Sequence, residues 1–195
     1  MTSSNSLPIR HLRQFLFCPR IPWLQEVAAM QPLRPIWVTQ GQGYHARQEF
    51  LSRRRKLSRY STEDAELLFD QPVGCENPSI HGRIDLVLKG KDRVQIVEFK
   101  LGEGKPVPGQ ILQAAAYAIA AEQTFALPCP EFFVATGKKA KVHHYYLTAE
   151  RRQEVADKVT QIQQTLADSV LPESSAQSNT QCSSCEYLNT CNDRD

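Results

Sequence analysis

The stretch GRIDLVLKGKDRVQIVEFK, residues 82–100, constrains the fold of this 195-residue chain more than any other. Two runs rich in Val, Ile, Leu and Phe flank a polar Lys-Gly-Lys-Asp-Arg turn, the pattern of a β-hairpin. If the turn is centred between Lys91 and Asp92, with a loop of two or four residues, positions whose numbers sum to 183 face one another across the pair. Ile84 then meets Phe99, Leu86 meets Val97, Val87 meets Ile96, and Asp85 lies opposite Glu98. Lys100 falls two residues along the face of Glu98. A slip of one residue would separate the carboxylates and mismatch the apolar pairs together.

Two carboxylates held face to face repel, and in a partly buried place both ionise only if a positive charge compensates. A divalent cation supplies that charge, and hard oxygen ligands favour magnesium or manganese. A neighbouring lysine suits a phosphate or an attacking water. The plainer reading is a surface network of Asp85, Glu98 and Lys100. The apolar residues on both sides of these charges argue against it, because they predict a covered sheet with the charges at its edge.

Other segments complete an α/β pattern. SLPIRHLRQFLFCPR predicts a short helix with Leu12, Phe15 and Leu16 on its apolar face, broken by Pro19 and Pro22. After the Pro-containing stretch MQPLRPIW, residues 41–58 predict a second helix carrying His45 in its early turns. DAELLFD, SIHGRIDLVLKG and RVQIVEFKL predict three strands. Residues 109–124 predict an Ala-rich helix, EFFVATG and KVHHYYL two strands, and residues 149–168 a helix with Val155, Val159, Ile162 and Leu166 at helical spacing. PESSAQSNTQ predicts a polar linker. The order implies an α/β sandwich around a mixed sheet.

Net charge is +2, unevenly spread: +8 over residues 1–60, −2 over 61–160 and −4 over 161–195. The densest basic run, RRRKLSR, suits either a solvated helix end or phosphate contacts. Trp23 and Tyr44 are candidates to stack on unpaired bases, with core packing the alternative for Trp23. No apolar run reaches the ~18 residues of a membrane helix, and arginine and histidine interrupt the start where a secretory signal would be apolar. A soluble, cytoplasmic protein is expected. In that reducing compartment clustered cysteines are metal ligands before they are disulfides.

Such a cluster closes the chain: Cys182, Cys185 and Cys191 form C-x2-C-x5-C, and Cys18 in FCPR offers a fourth thiolate. Joining the two ends would close a loop of roughly 165 residues and constrain the unfolded chain by on the order of 5 kcal/mol. Sulfur ligands alone suit zinc as well as iron. Cys75 and Cys129 read as buried apolar residues. His81, His143 and His144 carry no predicted role, since adjacent strand residues such as His143 and His144 point to opposite faces.

GRID followed thirteen residues from its Asp by EFK resembles the PD-(D/E)XK nuclease superfamily. Gln113 and Tyr117 of QAAAYA, at i and i+4 on one helical face, and His45 of GYHARQEF resemble its RecB-like branch. With the cysteines at both ends, the chain is most similar to the CRISPR-associated RecB-like exonucleases. The resemblance implies a restriction-endonuclease-like core over 41–170, an N-terminal helical segment over 1–40 and a cysteine cap over 171–195. It implies that His45, Asp85, Glu98 and the Phe99 carbonyl hold manganese or magnesium, that Lys100 acts on the water or the phosphate, and that Gln113 and Tyr117 line the site. It further implies a four-iron, four-sulfur cluster on Cys18, Cys182, Cys185 and Cys191. Arg53, Arg54, Arg55, Lys56 and Lys105 are the DNA-contact candidates. The implied function is trimming of captured DNA ends in CRISPR adaptation, with help in selecting the adjacent motif. The CRISPR integrase complex is the implied partner, no membrane is involved, and a homo-oligomer is allowed. A RecB-like repair nuclease, a DNA-end-binding module and a zinc-stapled structural subunit are the rival readings.

Overall fold

The hairpin forms in the expected register. In the computed structural model, which describes residues 6–32, 36–176 and 178–191 and the side chains of all of these except 36–42, β3 (Ile80–Lys89) and β4 (Val94–Lys100) pair antiparallel. Leu86 meets Val97, Val87 meets Ile96, and the Gly90 N–H donates to the Arg93 carbonyl at 2.9 Å, closing a two-residue loop. The ladder stops at Leu86, however. The Phe99 N–H, which would continue it to Ile84, donates instead to Asp85 Oδ2 at 2.7 Å.

β2 (Glu66–Cys75) runs antiparallel along the whole of β3, so it occupies one edge of that strand. β1 (Leu7–Pro8), a two-residue strand that the sequence pattern does not reveal, pairs parallel with Ile80 and His81. Since β2 fills one edge, β1 and β4 share the other, and a gap separates them along β3 between His81 and Leu86. β5 (Glu131–Thr136) lies parallel to β4, and β6 (Lys141–Tyr146) is antiparallel at the far edge. The sheet is mixed, as expected.

Both faces are covered, because strand residues alternate between two apolar layers. Ile84, Val87, Ile96, Phe132 and Val134 pack with α1 (Arg10–Phe17), α4 (Pro108–Phe125) and α5 (Ala149–Ala167). Leu86, Leu88, Val97, Phe99 and Phe133 pack with Tyr44 of α3 (Ile36–Ser52) and Tyr60 of a 3-10 turn at Leu57–Tyr60. α4 buries almost its full circumference, and its run of alanines lets the helix sit close to the strands. Pro108 opens it, where the missing N–H costs nothing. α5 begins at a Thr148 cap and buries Val155, Val159 and Ile162, each worth on the order of 2 kcal/mol.

Several boundaries differ from the sequence expectation. α3 starts before residue 41 and ends at Ser52, so the basic run Arg53–Lys56 follows the helix rather than completing it. Pro22 does not break the chain. It stands in the first turn of α2 (Arg20–Glu26), where amide donors lack intrahelical partners anyway. Leu16 is exposed, and the buried face of α1 is His11, Leu12, Gln14 and Phe15. The polar linker gives way at Asn179 to α6 (Asn179–Ser183), followed by α7 (Leu188–Cys191). Cys129 is buried as expected, whereas Cys75 is only half-buried against the main core.

Candidate active site and cysteine cap

The gap in the sheet is where the charged residues gather. Asp85 uses one carboxylate oxygen on the Phe99 N–H and places the other 3.0 Å from His45 Nδ1. Glu98, one residue back on β4, is 4% exposed. Its Oε1 accepts from Lys100 Nζ at 2.8 Å, and its Oε2 is buried with no hydrogen-bond partner. Lys100 also donates to Gln113 Oε1 at 3.0 Å, which leaves one of its three N–H groups unassigned. His45, Asp85, Glu98, Lys100 and Gln113 thus form one chain of contacts drawn from α3, β3, β4 and α4.

Electrostatics follow from burial and proximity. Burial, reinforced by the neighbouring Asp85 charge, pushes the Glu98 carboxyl up to about 7, against the pull of Lys100 and His45. The hydrogen bond that His45 donates to Asp85 raises the imidazole above its ordinary value, against partial desolvation. A half-partnered, buried carboxylate beside a second carboxylate calls for a further cation. Here the Lys100 ammonium supplies positive charge, and among the described residues no three His, Cys, Asp or Glu side chains converge closely enough to enclose a metal ion. The donor set fits a hard divalent cation: carboxylate oxygens with one imidazole, next to an orphaned Glu98 oxygen.

Tyr117 packs against β3. Its ring lies over Gly82, where an added Cβ would come 2.7 Å from Cε1, and its hydroxyl meets the Arg83 backbone. It therefore lies in the gap between β1 and β4, near both Gln113 and the Arg83 backbone. Burial first, then the Glu98 and Asp85 charges, raises its phenol well above the usual range. Tyr44, a stacking candidate in the sequence, is buried and unavailable for bases: its hydroxyl donates to the Gly137 carbonyl at 2.9 Å. Trp23 instead packs in the cap cluster, with its indole N–H on the Asp168 carbonyl at 3.0 Å.

A cleft of about 520 Å³ opens beside the site, lined by His45, Glu49, Phe69, Asp70, Asp85 and Phe99. Asp70 faces Asp85 across β2 and β3 but has φ +50° and interrupts the ladder, and Arg83 clamps it with two 2.7 Å bonds to its carboxylate. Arg53 pairs with Glu49 at 2.8 Å and lies over the Phe69 ring at the same cleft. Arg54 covers the exposed Phe50. Arg55 is half-buried and donates to Gln48 Oε1 at 2.7 Å, whereas Lys56 and Lys105 are exposed.

At the other end of the molecule, Cys18, Cys182, Cys185 and Cys191 line one small cavity of about 30 Å³. The C-terminal segment reaches it by docking on α1 and α2. Tyr187, 1% exposed, packs with Ile21 and Leu24, and its hydroxyl donates to the Met30 carbonyl at 3.0 Å. Gln181 Nε2 donates to the Phe17 carbonyl at 2.6 Å, and Arg20 donates to the Pro172 carbonyl at 2.9 Å and to Cys191 Sγ at 3.5 Å. Burial, with the nearby Cys18 and Cys191, raises the Cys185 thiol. Four sulfurs lining one cavity are the donor type of a sulfur-ligated metal or cluster, although among the described residues no three of them stand close enough to enclose an ion.

Residues 11–192 match the family model of the PD-(D/E)XK nuclease superfamily. The chain is 38% identical over 189 residues to the CRISPR-associated exonuclease Cas4 of Francisella tularensis subsp. novicida (strain U112), covering 97% of this chain and 95% of that protein. Its fold is similar to the crystal structure of SSO0001, with TM-score 0.55 at 16% identity over 98% of this chain and 88% of that one. A protein from Eubacterium rectale gives TM-score 0.57 at 11% identity, covering 93% and 88% of the two chains.

Proposed function

The chain belongs to the PD-(D/E)XK nuclease superfamily and, within it, to the CRISPR-associated RecB-like exonucleases, and from that membership we propose that it is a divalent-cation-dependent DNA nuclease acting on single-stranded ends. The observation that carries the chemistry is Glu98: buried, beside Asp85, with Lys100 on one oxygen and nothing on the other. His45, Asp85, Glu98 and the Phe99 carbonyl would hold manganese or magnesium. When bound, such an ion lends Lewis acidity to the scissile phosphate and makes hydroxide available near neutral pH.

The side chains do the rest. Lys100, fixed by Glu98 and Gln113, presents its remaining N–H to the attacking water or to a non-bridging phosphate oxygen, where positive charge counts most as negative charge develops. Gln113 is the buried prop of that lysine. Tyr117 holds the strand that carries Asp85, through the Arg83 backbone. Arg53, at the cleft beside Phe69, and the exposed Arg54 and Lys56 that follow it serve the DNA backbone, with Arg55 bracing Gln48.

Cys18, Cys182, Cys185 and Cys191, which line one cavity, would carry a four-iron, four-sulfur cluster whose part is to staple the two chain ends. The named relative supports a place in CRISPR adaptation. In this role the enzyme trims captured DNA ends, helps select the adjacent motif and works with the integrase complex. The test is cleavage of end-labelled single-stranded and blunt duplex DNA with manganese or magnesium. Cation-dependent shortening of the single strand is expected. No cleavage with either cation, alone or with the integrase complex, contradicts the reading.

A further inference from the structure

The basic run that stands out in the sequence accounts for only part of the cationic surface. Arg53 is paired with Glu49, and Arg55 is turned onto Gln48. The turn between β5 and β6, in contrast, reads Gly137-Lys138-Lys139-Ala140-Lys141, and its three lysines are exposed. Among the described residues no carboxylate lies within ion-pairing distance of the ammonium groups of Lys138, Lys139, Lys141 or Lys105.

This turn is held next to the candidate active site on three sides. The Gly137 N–H donates to the Lys100 carbonyl at 2.9 Å. Its carbonyl accepts from Tyr44, the neighbour of His45, at 2.9 Å, and the Lys138 carbonyl accepts from Gln48. Arg59 of the 3-10 turn donates to the Ala140 carbonyl. The loop bearing Lys105 joins the same surface, because Thr136 Oγ1 donates to the Gly104 carbonyl at 2.7 Å and Glu103 Oε1 accepts from the Lys138 N–H at 3.1 Å. The Glu103 carboxylate stays charged beside the turn, one negative group against four lysines, so the surface keeps a positive excess. The depressed basicity of His143, caused first by burial and then by Lys141 and Lys105, agrees with a concentrated positive potential there.

We infer that Lys138, Lys139 and Lys141, together with Lys105, form a second phosphate-contacting surface that carries the single-stranded DNA backbone on the β5–β6 side of the site. The inference rests on the nuclease reading above. The chemistry is charge complementarity on a rigid turn: four unpaired ammonium groups on two segments tied together by named hydrogen bonds, one residue from the strand end that bears Lys100. Such contacts position a strand without reading its bases.

The test is salt-dependent binding of a fluorescent single-stranded oligonucleotide to the full chain, without added divalent cation. The triple variant Lys138→Gln/Lys139→Gln/Lys141→Gln is compared with Lys89→Gln/Lys91→Gln/Arg93→Gln at the hairpin tip, which removes the same charge elsewhere. With roughly 0.7 in log–log slope per single-strand phosphate contact, the turn variant should lose about 2 from the slope and at least tenfold in affinity at moderate salt. The hairpin variant should stay near the wild type. Equal slopes for the two variants, with the wild type binding, overturn this inference and leave the nuclease reading standing. A wild type that does not bind DNA overturns both.

Discussion

Tyr44 donates its hydroxyl proton to the Gly137 carbonyl at 2.9 Å, and the N–H of the same glycine donates to the Lys100 carbonyl at 2.9 Å. One residue of the β5–β6 turn thereby fixes the helix that presents His45 against the strand end that presents Lys100. Tyr44→Phe leaves the Gly137 carbonyl without its donor in a buried place, a loss of about 1–2 kcal/mol. The melting temperature should fall by a few degrees, and cleavage should fall about tenfold as His45 loosens from Asp85. Thermal melts beside single-turnover cleavage check both.

Gly82 and Tyr117 form a second dependent pair. A Cβ at residue 82 would sit 2.7 Å from Tyr117 Cε1 and 3.4 Å from Ile9 Cβ. The buried ring cannot yield easily while its hydroxyl holds the Arg83 backbone. Gly82→Ala should destabilise the fold by on the order of 1–3 kcal/mol. In the background of Tyr117→Ala most of that cost should vanish, because the clash is gone, so a double-mutant cycle should show strong coupling.

Acid acts on this protein in two opposing ways. His11, wholly buried with Nδ1 unpartnered, is lowered to about 4, by burial first and then by Arg10. Its unfolded form binds a proton below about 6.5, so stability contributed by the neutral ring is lost as pH falls from there toward 4. Glu98 works the other way: raised to about 7, it favours the folded state as pH falls through that range. The net slope is therefore uninformative, whereas a difference isolates His11. The stability gap between wild type and His11→Phe should shrink by about 2 kcal/mol between pH 7 and pH 5. Paired denaturant titrations at the two pH values measure it.

Cys18 should be necessary to whatever the C-terminal cysteines hold. It is the buried member of the four, packed with Ile21, Leu24 and Tyr187. Protein purified without oxygen should contain iron and acid-labile sulfide near four of each. Cys18→Ala should lose both and expose the chain after Asp168 to protease. Zinc without iron, or iron indifferent to Cys18, contradicts the cluster.

The register of β3 and β4 and the covered sheet are legible in residues 82–100, because period-two alternation and charge placement agree there, whereas loops of two and four residues share that register and only the structure decides between them. The approach of His45 and Gln113 to the carboxylates is not derivable from periodicity and comes from the family resemblance, whereas Cys18 is legible as the fourth thiolate that three C-terminal cysteines lack; the fold brings each set together at its own end of the molecule. What stayed hidden depends on backbone. The early end of the β3–β4 ladder follows from a side chain, Asp85, taking the Phe99 N–H. The Tyr117 contact depends on the absent Cβ of Gly82. The role of Gly137 depends on φ +74° and on partners 93 and 37 residues away in sequence, at Tyr44 and Lys100. β1, with two residues, is too short for any pattern.

The most direct measurement is manganese-dependent cleavage of an end-labelled single strand by Asp85→Ala beside wild type, at matched folding and iron content. The account predicts cleavage by the wild type and a loss of at least a hundredfold in the variant, with the melting temperature and the cap unchanged. Undiminished cleavage by purified Asp85→Ala would show that the paired carboxylates are not where this protein cuts DNA.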